Sequence, residues 1–269
     1  MSEAVAPSTR RARIIVAYHG AAFRGLALNE GVPTVMGALL PALELVVRQP
    51  VELVMSGRTD AGVHAWGQVL SGDLPDSTHL TDIMRRINKL CAPDIAIRAI
   101  EWAEPTFNAR LDATSRSYRY DVWNHHSPHP MLTDRAWHVP QPLDMQAMNA
   151  AAPAFIGEHD FSSFGRPPKV QPGAPAPSMT RMMYEMGWTE VEESMLRYTV
   201  RGSAFCHQQV RSMVGTLVDV GLGRIAAAAV PAILRAGDRA AAGQVAPPHG
   251  LTLWAVGYDG TRWDADQRA

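Results

Sequence analysis

The stretch Ser56-Gly57-Arg58-Thr59-Asp60-Ala61-Gly62-Val63-His64-Ala65 follows directly on a strand-like run and sets a carboxylate among glycines and alanines. Small residues of this kind let a backbone approach a ligand closely, and such a loop presents Asp60. An aspartate so placed serves as a nucleophile or base if it stays ionised, and Arg58, two residues earlier, is positioned to hold it so. The same spacing also fits a structural turn in which Asp60 accepts backbone N–H groups and Arg58 caps it. The residues by themselves leave both readings open.

The rest of the chain limits what such a loop can belong to. Apolar residues make up 46% and charged residues 19% of the 269 positions, a balance that supports a core and argues against disorder as the main state. The length suits one large domain or two modest ones. Basic and acidic side chains number 25 and 26, leaving a formal charge of -1, so any polyanion must be bound by a local patch. Only Lys89 and Lys169 are lysines, and the remaining basic residues are arginines, whose planar fork suits phosphates and base edges. A genomic bias against lysine is the plainer reason for that excess.

The apolar run after the twin arginine Arg10-Arg11 is too short for a signal-peptide core, and no stretch approaches the roughly 18 apolar residues that cross a bilayer. A cytoplasmic protein without a membrane partner is expected. Cys91 and Cys206 are too few for a disulfide framework or a thiolate cage. His125, His126 and His129 are dense, but Pro128 and Pro130 make the backbone irregular and no cysteine or carboxylate completes a metal set. No metal is expected there.

Strands are predicted over Arg13 to Tyr18, Val51 to Met55, Gln68 to Leu74 and Ile95 to Trp102. Helices are predicted over Val35 to Val47, capped by Thr34 and disturbed by Pro41, and over Leu80 to Cys91. Further on, strands are read at Thr114 to Trp123, Arg181 to Val191, Met195 to Gly202 and Leu251 to Tyr258, with helices at Asp144 to Phe155 and His207 to Leu222. The order β-α-β-β-α-β thus occurs twice, the split pattern of ferredoxin-like units. The expected domains are 11–104, which carries the Asp60 loop, and 105–263, with a boundary near Glu104 and Pro105. Residues 1–10 and 264–269 are expected to be disordered or frayed. The proline-rich stretch Gly165 to Ser178 should be a surface loop.

Gly57 to Ala65, followed by Gly67-Gln68-Val69, resembles the signature loop of the tRNA pseudouridine synthases of the TruA type. Further matches fall in family order. They include Ala17-Tyr18-His19-Gly20 with Phe23 and Gly25, Pro33-Thr34-Val35 with Gly37 and Leu39, and Phe107-Asn108-Ala109-Arg110 with Ser117-Tyr118-Arg119-Tyr120. Phe205 with Val210-Arg211 and Val214-Gly215, and Gly250-Leu251-Thr252-Leu253, complete the set, so the resemblance runs from about Arg13 to Tyr258. Gly25-Leu26-Ala27-Leu28 departs from the family, which commonly has Trp and Gln there, so a contact from that loop is expected to be lost or replaced.

The resemblance implies an α+β protein whose two ferredoxin-like units form a pseudouridine synthase fold with a central cleft. It implies an isomerase that turns uridine into pseudouridine in the anticodon stem-loop of tRNA, at positions 38 to 40, as a homodimer and without cofactor or metal. Asp60 would be the nucleophile, adding to C6 of the base or attacking C1′, and the family leaves both routes open. Tyr118 would stack on the base, Arg211 would serve the carboxylate from the second domain, Leu251 would pack on the base, and Arg58 would touch RNA. For Tyr118 and Leu251 a core role fits the strand period as well. Arg110, Arg116 and Arg119, extended by Arg24, Arg58, Arg201 and Arg211, would form the phosphate-binding surface. The rival readings are an RNA-binding protein with little activity and an aspartate-dependent hydrolase. The latter needs a second carboxylate or metal ligands beside Asp60, and the loop supplies neither.

Overall fold

In the computed structural model, residues 8–167 and 177–258 are described in full and 261–263 by their backbone. The chain opens with β1 (Thr9–Tyr18), in which Ile14, Ile15 and Val16 are all buried. Successive side chains point to opposite faces, so this strand is covered on both sides. Helix α1 (Val35–Val47) begins where the Thr34 hydroxyl accepts the Gly37 N–H at 3.1 Å, and buries Val35, Leu39, Leu43 and Val46. It passes through Pro41 as one element and ends at Arg48 in the left-handed region. Then come β2 (Val54–Met55), β3 (His64–Pro75), α2 (Leu80–Leu90) and β4 (Ile95–Trp102). The strands run β4-β1-β3 with β2 on β3, every pair antiparallel, the order a ferredoxin-like unit requires.

After β5 (Ala113–Trp123) come β6 (Trp137–His138), α3 (Met145–Ala151), β7 (Gly157–Asp160), β8 (Thr180–Glu192), β9 (Met195–Gly202), α4 (Gln209–Gly221) and α5 (Val230–Ala236). Their sheet runs β5-β9-β8-β7, antiparallel throughout, with β6 parallel to β5. Its core is aromatic, with Tyr120, Tyr198, Phe155, Phe161 and Phe164 fully buried. Almost every side of α4 is buried, which makes it the central helix of this part.

Strand β10 (Leu251–Tyr258) follows, and β11 (Thr261–Trp263) pairs with it antiparallel. Contacts divide the chain into two units, Met1–Thr114 with Leu253–Ala269, and Ser115–Thr252. The first unit extends past Glu104 because the Ala109 N–H donates to Ser71 and its carbonyl accepts the Tyr258 hydroxyl. From Leu253 onward β10 lies along β3, where a β-carbon on Gly67 would stand 2.4 Å from the Trp254 carbonyl oxygen.

Most strand and helix positions agree with the sequence pattern, and the differences have local causes. The run at Val51 pairs only over β2, and the predicted helix at Asp144 tightens into a 3-10 turn at Ala152–Phe155, where Pro153 lacks an N–H. Strands β6 and β7 and helix α5 lack a period of their own; two-residue β6 is defined only by lying beside β5. Thr9 and Arg10, expected in a disordered tail, belong to β1, while residues 1–7 and 264–269 lie outside the described residues. So do residues 168–176 of the proline-rich stretch.

Candidate active site

Asp60 is half-buried in the loop between β2 and β3, and the loop is braced along its whole length. Thr59 points inward, where its hydroxyl shares a 2.7 Å buried hydrogen bond with the Tyr18 hydroxyl at the end of β1. The Thr59 carbonyl accepts the Leu26 N–H, and the Phe23 carbonyl accepts the Gly62 N–H. His64 Nδ1 accepts the Gly20 N–H at 2.9 Å, which places any proton of a neutral ring on Nε2. At the other end the Gln68 amide donates to the Gly57 carbonyl while its oxygen accepts the Ser56 hydroxyl.

Two glycines of the first turn make that bracing sterically possible. A β-carbon on Gly20 would lie 2.0 Å from the Val63 carbonyl oxygen, inside any permitted contact. Gly25, at φ 111°, would bring one to 3.0 Å from the Thr59 oxygen. The turn after β1 and the Asp60 loop are thus packed backbone to backbone, which fixes the path of the loop that carries the carboxylate. Tyr18, His64 and Gln68 carry this support. The sequence signal for them is a hydrogen-bonding side chain in a strand otherwise rich in apolar residues.

Arg58 is exposed, whereas Thr59 beside it is buried. Thr59 is drawn inward by Tyr18, which turns Arg58 toward solvent.

In the second unit, Tyr118 and Tyr120 separate although they share a strand face by period. Tyr120 is fully buried, donates to the Pro247 carbonyl at 2.8 Å, and has its phenol pushed far up by burial. Tyr118 is half-buried, with Phe205 edge-on at 5.1 Å holding its ring. Tyr118 is therefore the ring left accessible. Gly250 packs on the Tyr120 ring, where a β-carbon would stand 2.6 Å from Cζ, and this sets the entry of β10 at Leu251. Leu251 is 6% exposed, so its side chain is chiefly core.

Arg211 projects from α4, and its Nε donates to the Ala246 carbonyl at 2.7 Å. Segment 243–246 lies along the helix face formed by Arg211, Gly215 and Asp219. Of the other arginines, Arg110 is exposed beyond the turn shaped by the Asn108 side chain, and Arg119 is half-buried. Arg116 donates to the Ser203 carbonyl at 2.8 Å. Arg201 is engaged with Glu185 at 2.9 Å and with the Tyr184 ring. Arg24 and Arg58 are exposed. Among the described residues no group of three or more His, Cys, Asp or Glu forms a metal-binding set.

The model of a family described as tRNA pseudouridine synthase matches residues 151–259. A Bacillus subtilis protein named tRNA pseudouridine synthase A is 38% identical over 252 residues, covering 93% of this chain and 99% of that protein. Proteins of the same name from Methylobacterium nodulans and Caulobacter vibrioides are 40% and 38% identical, over 92% of this chain and 96% and 98% of theirs. A solved Cbf5-Nop10-Gar1 complex aligns at 14% identity over 79% of this chain and 44% of that chain, with a TM-score of 0.36. An α+β chain with a ferredoxin-like unit and a braced aspartate loop, related over nearly its whole length to these enzymes, falls in a defined class. It belongs to the tRNA pseudouridine synthase A family.

Proposed function

We propose that this chain converts uridine to pseudouridine in the anticodon stem-loop of tRNA, at positions 38 to 40, with Asp60 as the nucleophile. The observation that carries the reading is the Asp60 loop itself. A carboxylate on a flexible turn would lose orientation each time the loop moved, whereas here both flanks are tied to β1 and β3 and the side chain stays half-exposed. That arrangement suits covalent catalysis, because the entropy of aligning the nucleophile is lost on folding rather than in the reaction.

The chemistry requires that the C1′–N1 bond break, the uracil turn, C5 join C1′ and the C5 proton leave while N1 regains one. Asp60 either attacks C1′, holding the sugar as an ester while uracil departs as an anion, or adds to C6 of the base. Both routes divide one high barrier into lower ones and return the carboxylate unchanged. Tyr118 is assigned to stack on the base and assist removal of the C5 proton, Arg211 and Leu251 complete the proposed substrate-side groups, and Arg58, Arg110, Arg116 and Arg119 contact RNA. The target nucleotide has to leave the helical stack, at a cost of a few kcal/mol offset by such contacts. Action in the cytoplasm as a homodimer belongs to the same proposal.

The test is tritium release from C5-labelled uridine in an anticodon stem-loop. Wild-type protein is expected to release it, and Asp60→Asn to stop release while RNA affinity stays within a few fold. Release persisting in Asp60→Asn would reject the nucleophile. Loss of RNA binding in its place would give Asp60 a structural role.

A further inference from the structure

The histidine-rich segment after β5 has no part in the chemistry above, yet it is not a loose surface turn. With β6 and the turn before β10 it walls a cavity of about 320 Å³ within the second unit, lined by Trp123, Trp137, His129, His138 and His249 with Thr133 at its margin. The volume falls in the range of sites for small ligands, large enough for a nucleobase with its sugar. None of these residues is among those assigned to the reaction.

The rings are held in place without a ligand. Trp123 donates its indole N–H to the Ser127 carbonyl at 2.9 Å and meets His129 edge-on at 5.2 Å. Trp137 packs against buried Tyr120, also edge-on, and a His138 ring nitrogen is 2.8 Å from the His125 carbonyl oxygen. His129 Nδ1 accepts the Met131 N–H. Burial pushes the His249 imidazole down, against the opposing influence of the Ala136 backbone and Asp134 and with that of Arg211, which favours the neutral ring. A neutral imidazole both donates and accepts, as the edge of a heterocycle demands.

Flat faces that stack and ring nitrogens that hydrogen-bond, in a lining without a carboxylate, describe recognition of an unstacked base. We propose that this cavity is a second base pocket, which takes one planar nucleobase apart from the uridine undergoing reaction. The base comes from the bound tRNA, a source that rests on the function proposed above, or from a free nucleotide, which does not.

Full-length protein is titrated with AMP, GMP, CMP and UMP by saturation-transfer NMR, and separately irradiated with anticodon stem-loop RNA carrying 5-iodouridine, the crosslinked peptides being mapped. Saturable nucleotide signals that fall at least fivefold in Thr133→Phe, which fills the cavity, and in His129→Ala are expected, as are crosslinks within residues 123–138. RNA affinity is expected to weaken about tenfold in Thr133→Phe, the loss of one stacked base. Nucleotide binding without these crosslinks assigns the pocket to free nucleotides. Absence of saturable binding and of crosslinks in both arms overturns it. Tritium release by wild-type protein on the same RNA reads the proposed function independently of either result.

Discussion

Replacing Gly215 with alanine tests whether segment 243–246 positions Arg211. A β-carbon at Gly215 would stand 1.8 Å from the Gln244 carbonyl oxygen and 3.3 Å from the Ala246 nitrogen. An ordinary carbon–oxygen contact is about 3.4 Å, so one backbone must retreat by roughly 1.5 Å. Alanine favours the helix by about 1 kcal/mol, while forcing a methyl into packed backbone costs about 1–3 kcal/mol, and the second effect prevails because the obstacle is main chain. The expected net loss of up to about 2 kcal/mol lowers Tm by up to roughly 6 °C. The retreat also carries off the Ala246 carbonyl that accepts from Arg211, and under the role proposed for Arg211 a shift of that size costs up to about 100-fold in rate. Thermal melts and single-turnover tritium release read the two effects. Gly221→Ala in the same helix is the control, since its β-carbon would meet the flexible Met148 side chain at 2.6 Å, and it should lower Tm with less effect on turnover. Wild-type Tm and turnover in Gly215→Ala would refute the account.

Tyr18→Phe removes a partner from the buried Thr59 hydroxyl, at a cost of about 1–3 kcal/mol, and loosens the Asp60 loop. Turnover should fall while RNA affinity holds, and adding Thr59→Val should recover stability because both polar partners are then gone; strictly additive losses in the double variant would contradict this. Burial raises both the Tyr120 and Tyr198 phenols, so above pH 10 the unfolded chain releases protons that the folded chain retains. Their contribution is fully present below the ordinary phenol range and declines as pH rises, by about 1.4 kcal/mol per pH unit for each. Denaturant unfolding between pH 9 and 12 should show that slope, reduced in Tyr198→Phe, and a flat profile would refute it. Arg110→Ala or Arg119→Ala should weaken RNA binding and lower the slope of log affinity against log salt by about one unit, and an unchanged slope would place the phosphate contacts elsewhere.

The periodic elements were legible from the chain alone. Helix α1 with its Thr34 cap, β4, β9 and β10 follow their apolar spacing to the residue, since each buries a face whose pattern is written locally. The Asp60 loop was legible too, as a carboxylate among small residues. Other features depended on neighbours distant in sequence. Strand β6 exists because β5 lies beside it, and only the ring and carbonyl around each phenol tell Tyr118 from Tyr120.

The sequence by itself determined which side chains could do chemistry and which segments were regular, because composition and period are local quantities. Tertiary structure alone decided which of those side chains are engaged. Arg58 faces solvent because Tyr18 draws Thr59 inward, and Arg201 is committed to Glu185 across a strand pair. Of the histidines that look like an incomplete metal set, His129 stands in the wall of a cavity with His138 of β6 and His249 of the turn before β10. Each outcome follows from a hydrogen bond or a steric contact between residues far apart in the chain, and no local pattern encodes such a contact.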